Sequence, residues 1–114
     1  MTAPTPQSLL LRAADILDER GWTQGGFVGH GGSVCLMGAV NIAAAEVAGI
    51  NIDRSAINGS SLPEPMWALR EKSLRRLHKS IPGVGFGGLG GWNDGHGRTK
   101  EQVQEMLRRA GGAS

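Results

Sequence analysis

The stretch Ser33–Gly49, SVCLMGAVNIAAAEVAG, decides the fold. Leu36, Ala39, Val40, Ala43 and Val47 recur at helical spacing, and Met37, Ala44 and Ala48 widen the stripe until the segment is apolar nearly all round. The pattern predicts a helix that starts at Ser33 or Val34 and runs to Ala48, with Gly49 as its C-terminal cap. A helix with so little polar face belongs inside the protein, so this is the central element.

Three more helices are legible around it. Thr5 as N-cap with Pro6 at the first helical position announces one whose Leu9, Leu10, Ala13, Ile16 and Leu17 share a face, and Gly21 stops it. Trp22 follows, placed to fold back over that helix end. Ser61 and Glu64 have capping-box spacing before a third helix over about 64–80. Met66, Trp67, Leu74, Leu77 and Ile81 line its face, with Leu69 at the edge and Arg70 inside it. Thr99 and Gln102 repeat the capping-box spacing before Val103, Met106, Leu107 and Ala110, and Gly111-Gly112 end that helix. Between the first two helices, Phe27 and Val28 flank Gly29-His30-Gly31-Gly32, where glycine permits the positive φ of a tight turn.

The expected architecture is mainly α: a compact four-helix single domain over residues 1–114 with a glycine-rich loop, and with room for a minor β-hairpin near residues 27–34. Residues 1–5 are expected to be disordered and 111–114 a frayed tail. At 114 residues one core is affordable but not two. Aromatics make up 4 % and Tyr is absent, so Leu, Ile, Val, Ala and Met must fill that core around Trp22, Trp67 and Trp92.

Charge is unevenly placed. The chain carries a net +2, but residues 1–61 hold three Arg against five acids while residues 62–114 hold nine Lys/Arg against five. One cysteine rules out an internal disulfide framework and suits a reducing cytosol. The polar start lacks the basic and apolar regions of a signal peptide, and no apolar run nears the ~18 residues of a membrane span. A cytoplasmic protein without membrane contact is expected.

Three pieces of the chain form a recognisable order. Gly21-Trp22 closes the first helix, Val34-Cys35-Leu36-Met37-Gly38-Ala39-Val40 opens the second, and Gly91-Trp92-Asn93-Asp94 leads through Gly97-Arg98-Thr99 into Val103 and Leu107. Together they resemble a family of small uncharacterised proteins of actinobacteria and their phages, grouped as a domain of unknown function. The resemblance covers most of the chain apart from roughly residues 50–80. It implies a shared fold and an actinobacterial or phage setting, and it brings no activity.

Several residue groups could carry chemistry. Cys35 falls in the opening turn of the second helix, where free N–H groups can lower a thiol pKa. With His96 or His30 as base and Asp94 or Asn93 as orienting group, it would form a nucleophilic set for a hydrolase or transferase. A buried, inert cysteine among Leu36, Met37 and Ala39 is the plainer reading. Cys35, His30, His78, His96 and Asp94 are metal-ligand types, but no pair has zinc-finger spacing, so no metal is expected. The run Gly85-Phe86-Gly87-Gly88-Leu89-Gly90 has the letters of a dinucleotide fingerprint without its βαβ setting, and no cofactor is expected. In Trp92-Asn93-Asp94-Gly95-His96, Asn93 and Asp94 can shape a turn while Trp92 anchors it.

The remaining candidate is a binding surface: Arg70, Lys72, Arg75, Arg76 and Lys79 on the third helix, with Trp92. Arg70, on the apolar side, needs a carboxylate such as Asp94 or an interface. No catalytic set is complete, which favours a non-enzymatic protein-interaction or regulatory module whose partner is another protein. Cysteine-dependent catalysis at Cys35 is the alternative, and nucleic-acid binding through the basic helix a weaker one. Nothing in the sequence specifies an oligomeric state.

Overall fold

A computed structural model of the chain describes residues 3–112. Met1, Thr2, Ala113 and Ser114, the outer parts of the two expected terminal tails, lie outside the described residues. The described chain is mainly helical: α1 Pro6–Arg20, α2 Leu36–Ala48, α3 Arg54–Ile57, α4 Glu64–Lys79, α5 Leu89–Asn93 and α6 Lys100–Ala110. Four are the long helices of the sequence reading, and α3 and α5 are additional short ones.

Helix α2 is the hub. It packs against α1, α3, α4 and α5, while α6 closes the far side of α1 and touches α4. Nine of the first ten positions of α2 illustrate why the segment is apolar nearly all round: Leu36 and Gly38–Ala45 are all buried, with Met37 half-buried. Gly38 is needed inside this helix for space. A Cβ there would lie 3.0 Å from the Phe27 carbonyl oxygen and 3.3 Å or less from the Val34 and Ile57 side chains.

Capping sets the ends of α1 and α6. Thr5 and Ser8 satisfy each other's backbone amides at the start of α1, and Thr99 and Gln102 do the same for α6. The Ser61/Glu64 box does not form. Leu62 precedes Pro63, which disfavours helical backbone at Leu62, and α4 begins only at Glu64 with Pro63 as a cap lacking a side-chain bond. Upstream, Asp53 caps α3 through the Ala56 amide, although Asn51 to Ser60 reads in the sequence as a polar connection without a helix.

Two further expectations are corrected. Helix α2 starts at Leu36, with Cys35 as N-cap, because Val34 is held extended by backbone pairing to Trp22 and Val28. These are isolated bridges, and His30–Gly32 forms a 3₁₀ turn, so there is no hairpin among the described residues. The glycine-rich run is likewise not a plain loop. Phe86–Gly88 is a 3₁₀ turn, and Leu89, buried in the core, starts α5. Trp92 and Asn93 therefore sit on a short helix docked against the start of α2.

Candidate functional site

Asn93 is buried to 1 % exposure and uses all of its side-chain hydrogen-bonding capacity. Its Oδ1 accepts from the Trp22 indole N–H at 2.7 Å and from the Leu36 amide at 3.0 Å. Its Nδ2 donates to the Thr23 carbonyl at 3.1 Å and to Asp94 Oδ1 at 2.9 Å. Leu36 is the first residue of α2, so Asn93 satisfies an amide that the helix itself leaves unpaired. One side chain thus joins the end of α1, the start of α2 and α5.

The neighbours of Asn93 extend the clamp. Gln24 Nε2 donates to the carbonyls of Asn93 and Gly95, both at 3.0 Å. Asp94 Oδ1 also accepts from the Gly25 amide at 2.9 Å. That bond, and secondly the one from Asn93, hold the Asp94 carboxyl below the usual carboxylate range. Trp92 is covered by Arg98, whose guanidinium lies 4.1 Å from the ring centroid and whose Nε donates to the Trp92 carbonyl at 2.9 Å.

Beside this clamp is a cavity of about 240 Å³ whose lining includes Gly25, Phe27, Cys35, Met37, Gly90 and Asp94. Cys35 Sγ accepts from the Gly38 amide at 3.4 Å, the geometry of an N-cap. Burial pushes its thiol pKa up, against the smaller pull of the Gly38 and Met37 amides, and Asp94 pushes the same way. His30 and His96 are both exposed, and neither hydrogen-bonds to Cys35. His78 is elsewhere, its Nδ1 3.2 Å from the Val84 carbonyl and its ring edge-on to Phe86. The cavity thus brings together Cys35, Asn93 and Asp94 and leaves out all three imidazoles. No group of three metal-ligand side chains is gathered among the described residues.

The second region is α4. Arg70 is buried, with its Nε donating to Asn41 Oδ1 at 2.5 Å, its Nη1 3.3 Å from Glu71 Oε1, and its guanidinium 4.3 Å from the Trp67 ring centroid. Asn41, on the apolar α2, is its partner in place of Asp94, and burial lowers the Arg70 pKa. Trp67, read as part of the core face, is 40 % exposed because it covers Arg70 from outside.

Lys72, Arg75, Arg76 and Lys79 are exposed and line a shallow groove of about 390 Å³ with Pro6 and Gln7 of α1. Arg76 has a structural task as well, since its Nε donates to the Ala110 carbonyl at the end of α6. Arg75 lies over Phe86 and 3.9 Å from Glu71. Several charges elsewhere are paired. Arg12 is held between Glu19 and Glu46, Lys100 faces Asp18, Arg108 faces Asp15 and Asp18, and Arg109 meets Glu105.

A family model described as a family of unknown function (DUF6197) matches residues 1–113. The chain belongs to this family. No curated protein and no solved structure matches it. Three pieces singled out in the sequence, Gly21-Trp22, the Cys35 segment and Trp92-Asn93-Asp94, meet at the Asn93 clamp. Sequence spacing could not reveal this, because the bonds joining them link residues 57 and 71 apart. Missed altogether were Gln24, whose amide ties two carbonyls of the same turn, and Gln104, which is buried and donates to the Ala14 carbonyl at 2.9 Å.

Proposed function

We propose that the protein is a non-enzymatic interaction module that binds another protein through the basic face of α4. The observation that carries this reading is the groove lined by Lys72, Arg75, Arg76 and Lys79, which has no acidic residue in its lining. Of its four cations only Arg75 has an ion-pair partner among the described residues, Glu71 at 3.9 Å, so the face presents clustered positive charge that steers an acidic partner. The same reading sets the protein in the cytoplasm of an actinobacterium or of its phage-infected host, on the motif resemblance and the single cysteine.

Charge reversal tests it. Lys72→Glu/Arg75→Glu/Lys79→Glu leaves Arg76 and its bond to Ala110 in place, so circular dichroism should be unchanged while partner capture falls. Equal capture by variant and parent removes α4 as the contact surface. Nucleic-acid binding through the same face is the second reading, supported by the four clustered cations. It requires that log affinity for DNA or RNA fall steeply with log salt, whereas a flat dependence eliminates it. Catalysis by Cys35 has less support: its thiol is held protonated by burial and has no imidazole partner.

A further inference from the structure

The cavity beside Asn93 is separate from the basic groove and has the opposite chemistry. Its volume of about 240 Å³ suits a group of side-chain size, below the range of ~300–1,000 Å³ usual for larger ligands. Phe27 and Met37 supply apolar walls. The start of a helix ordinarily attracts anions. At α2 that tendency is already met, because Asn93 holds the Leu36 amide and Cys35 the Gly38 amide. The one formal charge in the lining is the Asp94 carboxylate. Both of its hydrogen bonds fall on Oδ1, which leaves Oδ2 without a partner among the described residues.

Gly90 provides an independent observation. It lies within α5 and lines the cavity, its φ is not positive, and a Cβ built on it meets nothing within 4 Å. Glycine weakens a helix relative to alanine. Neither backbone conformation nor crowding requires it at this position, in contrast to Gly38. Its effect is to leave one wall of the cavity without a side chain.

The geometry points to a binding site for a primary ammonium group on a short unbranched aliphatic stem, the stem against Phe27 and Met37 and the ammonium at Asp94 Oδ2. A free alkylamine and a lysine side chain share this chemistry. A hydrogen-bonded carboxylate at the rim orients the cation, and the apolar walls accept the methylenes.

Titration of the ¹⁵N-labelled full chain with n-butylammonium, n-butanol and butyrate tests the site. Butylammonium should give saturable shifts at the amides of Gly25, Gly26 and Asp94, butanol should bind about fivefold more weakly, and butyrate should give none. Asp94→Asn keeps an oxygen to accept from Gly25 while removing the charge, and should weaken butylammonium about fivefold. Gly90→Leu should fill the cavity and abolish binding without lowering the melting temperature. Binding of Nα-acetyl-lysine methylamide alongside butylammonium would admit a lysine side chain as ligand, and its failure would confine the site to free amines. The proposal is overturned if butylammonium gives no saturable shifts, if butanol or butyrate binds as tightly, or if both folded variants bind like the parent.

Discussion

Replacing Asn93 with alanine should destabilise the protein more than any other single truncation near the site. The change removes four side-chain hydrogen bonds at once. The Leu36 amide is buried, and stranding it costs about 1–3 kcal/mol. The bonds to Trp22, Thr23 and Asp94 are only partly buried, so water can replace them at a net loss of about 0.5–1 kcal/mol each. The expected total is about 2.5–6 kcal/mol, a large share of the ~5–15 kcal/mol typical of a domain. Urea unfolding of parent and variant measures it, and hydrogen exchange should show lost protection at the Leu36 amide. A loss below about 1 kcal/mol with that amide still protected would refute the assignment of Asn93 as the clamp. Asn93→Asp sharpens the test. Its new carboxylate would face Asp94 where Nδ2 now donates at 2.9 Å, which raises one of the two carboxyl pKa values. A raised folded-state pKa gives stability that is present at low pH and lost as pH rises through it. The Asn93→Asp deficit should therefore be smaller near pH 4 than at pH 7.

Other substitutions separate the roles of the neighbouring residues. Gly38→Ala should lose about 1–2 kcal/mol in urea unfolding, since crowding against the Phe27 carbonyl, Val34 and Ile57 outweighs the gain in helix propensity. Gly90→Ala, with nothing within 4 Å of the new Cβ, should gain about 0.5–1 kcal/mol by the same assay. Iodoacetamide should label native Cys35 more slowly than a free thiol at pH 7.5, because burial raises its pKa, and rapid labelling would reverse that reading. Asp94 has a lowered pKa, so its contribution to stability is present above the ordinary carboxylate value and lost as pH falls through the folded one. Acid titration of Asp94→Asn, followed by circular dichroism, should accordingly show a shallower loss of stability than the parent.

What the sequence makes legible here is local. The length and uniform apolarity of Leu36–Ala48 mark the central helix, and Thr99-Lys100-Glu101-Gln102 marks the start of α6 by a pattern four residues long. The same spacing misleads at Ser61-Leu62-Pro63-Glu64, because proline restricts the residue before it and postpones the helix. Helix α5 is hidden by its own glycines, and only the burial of Leu89 and Asn93 fixes it in place. Arg70 is legible as an inward-facing cation, yet its partner is Asn41, a polar residue set in the most apolar helix of the chain. The candidate site depends on such distant pairings. Asn93 is prominent in the sequence, whereas its bonds to Trp22, Thr23 and Leu36 arise only when α1, α2 and α5 are packed together.

Whether the basic face of α4 is the contact surface is decided by quantitative affinity capture from one lysate of the source organism, with the parent and Lys72→Glu/Arg75→Glu/Lys79→Glu side by side at matched folding. A defined set of acidic proteins should be held by the parent and lost from the variant, with retention by the parent declining as salt rises. The same proteins retained equally by both would contradict it.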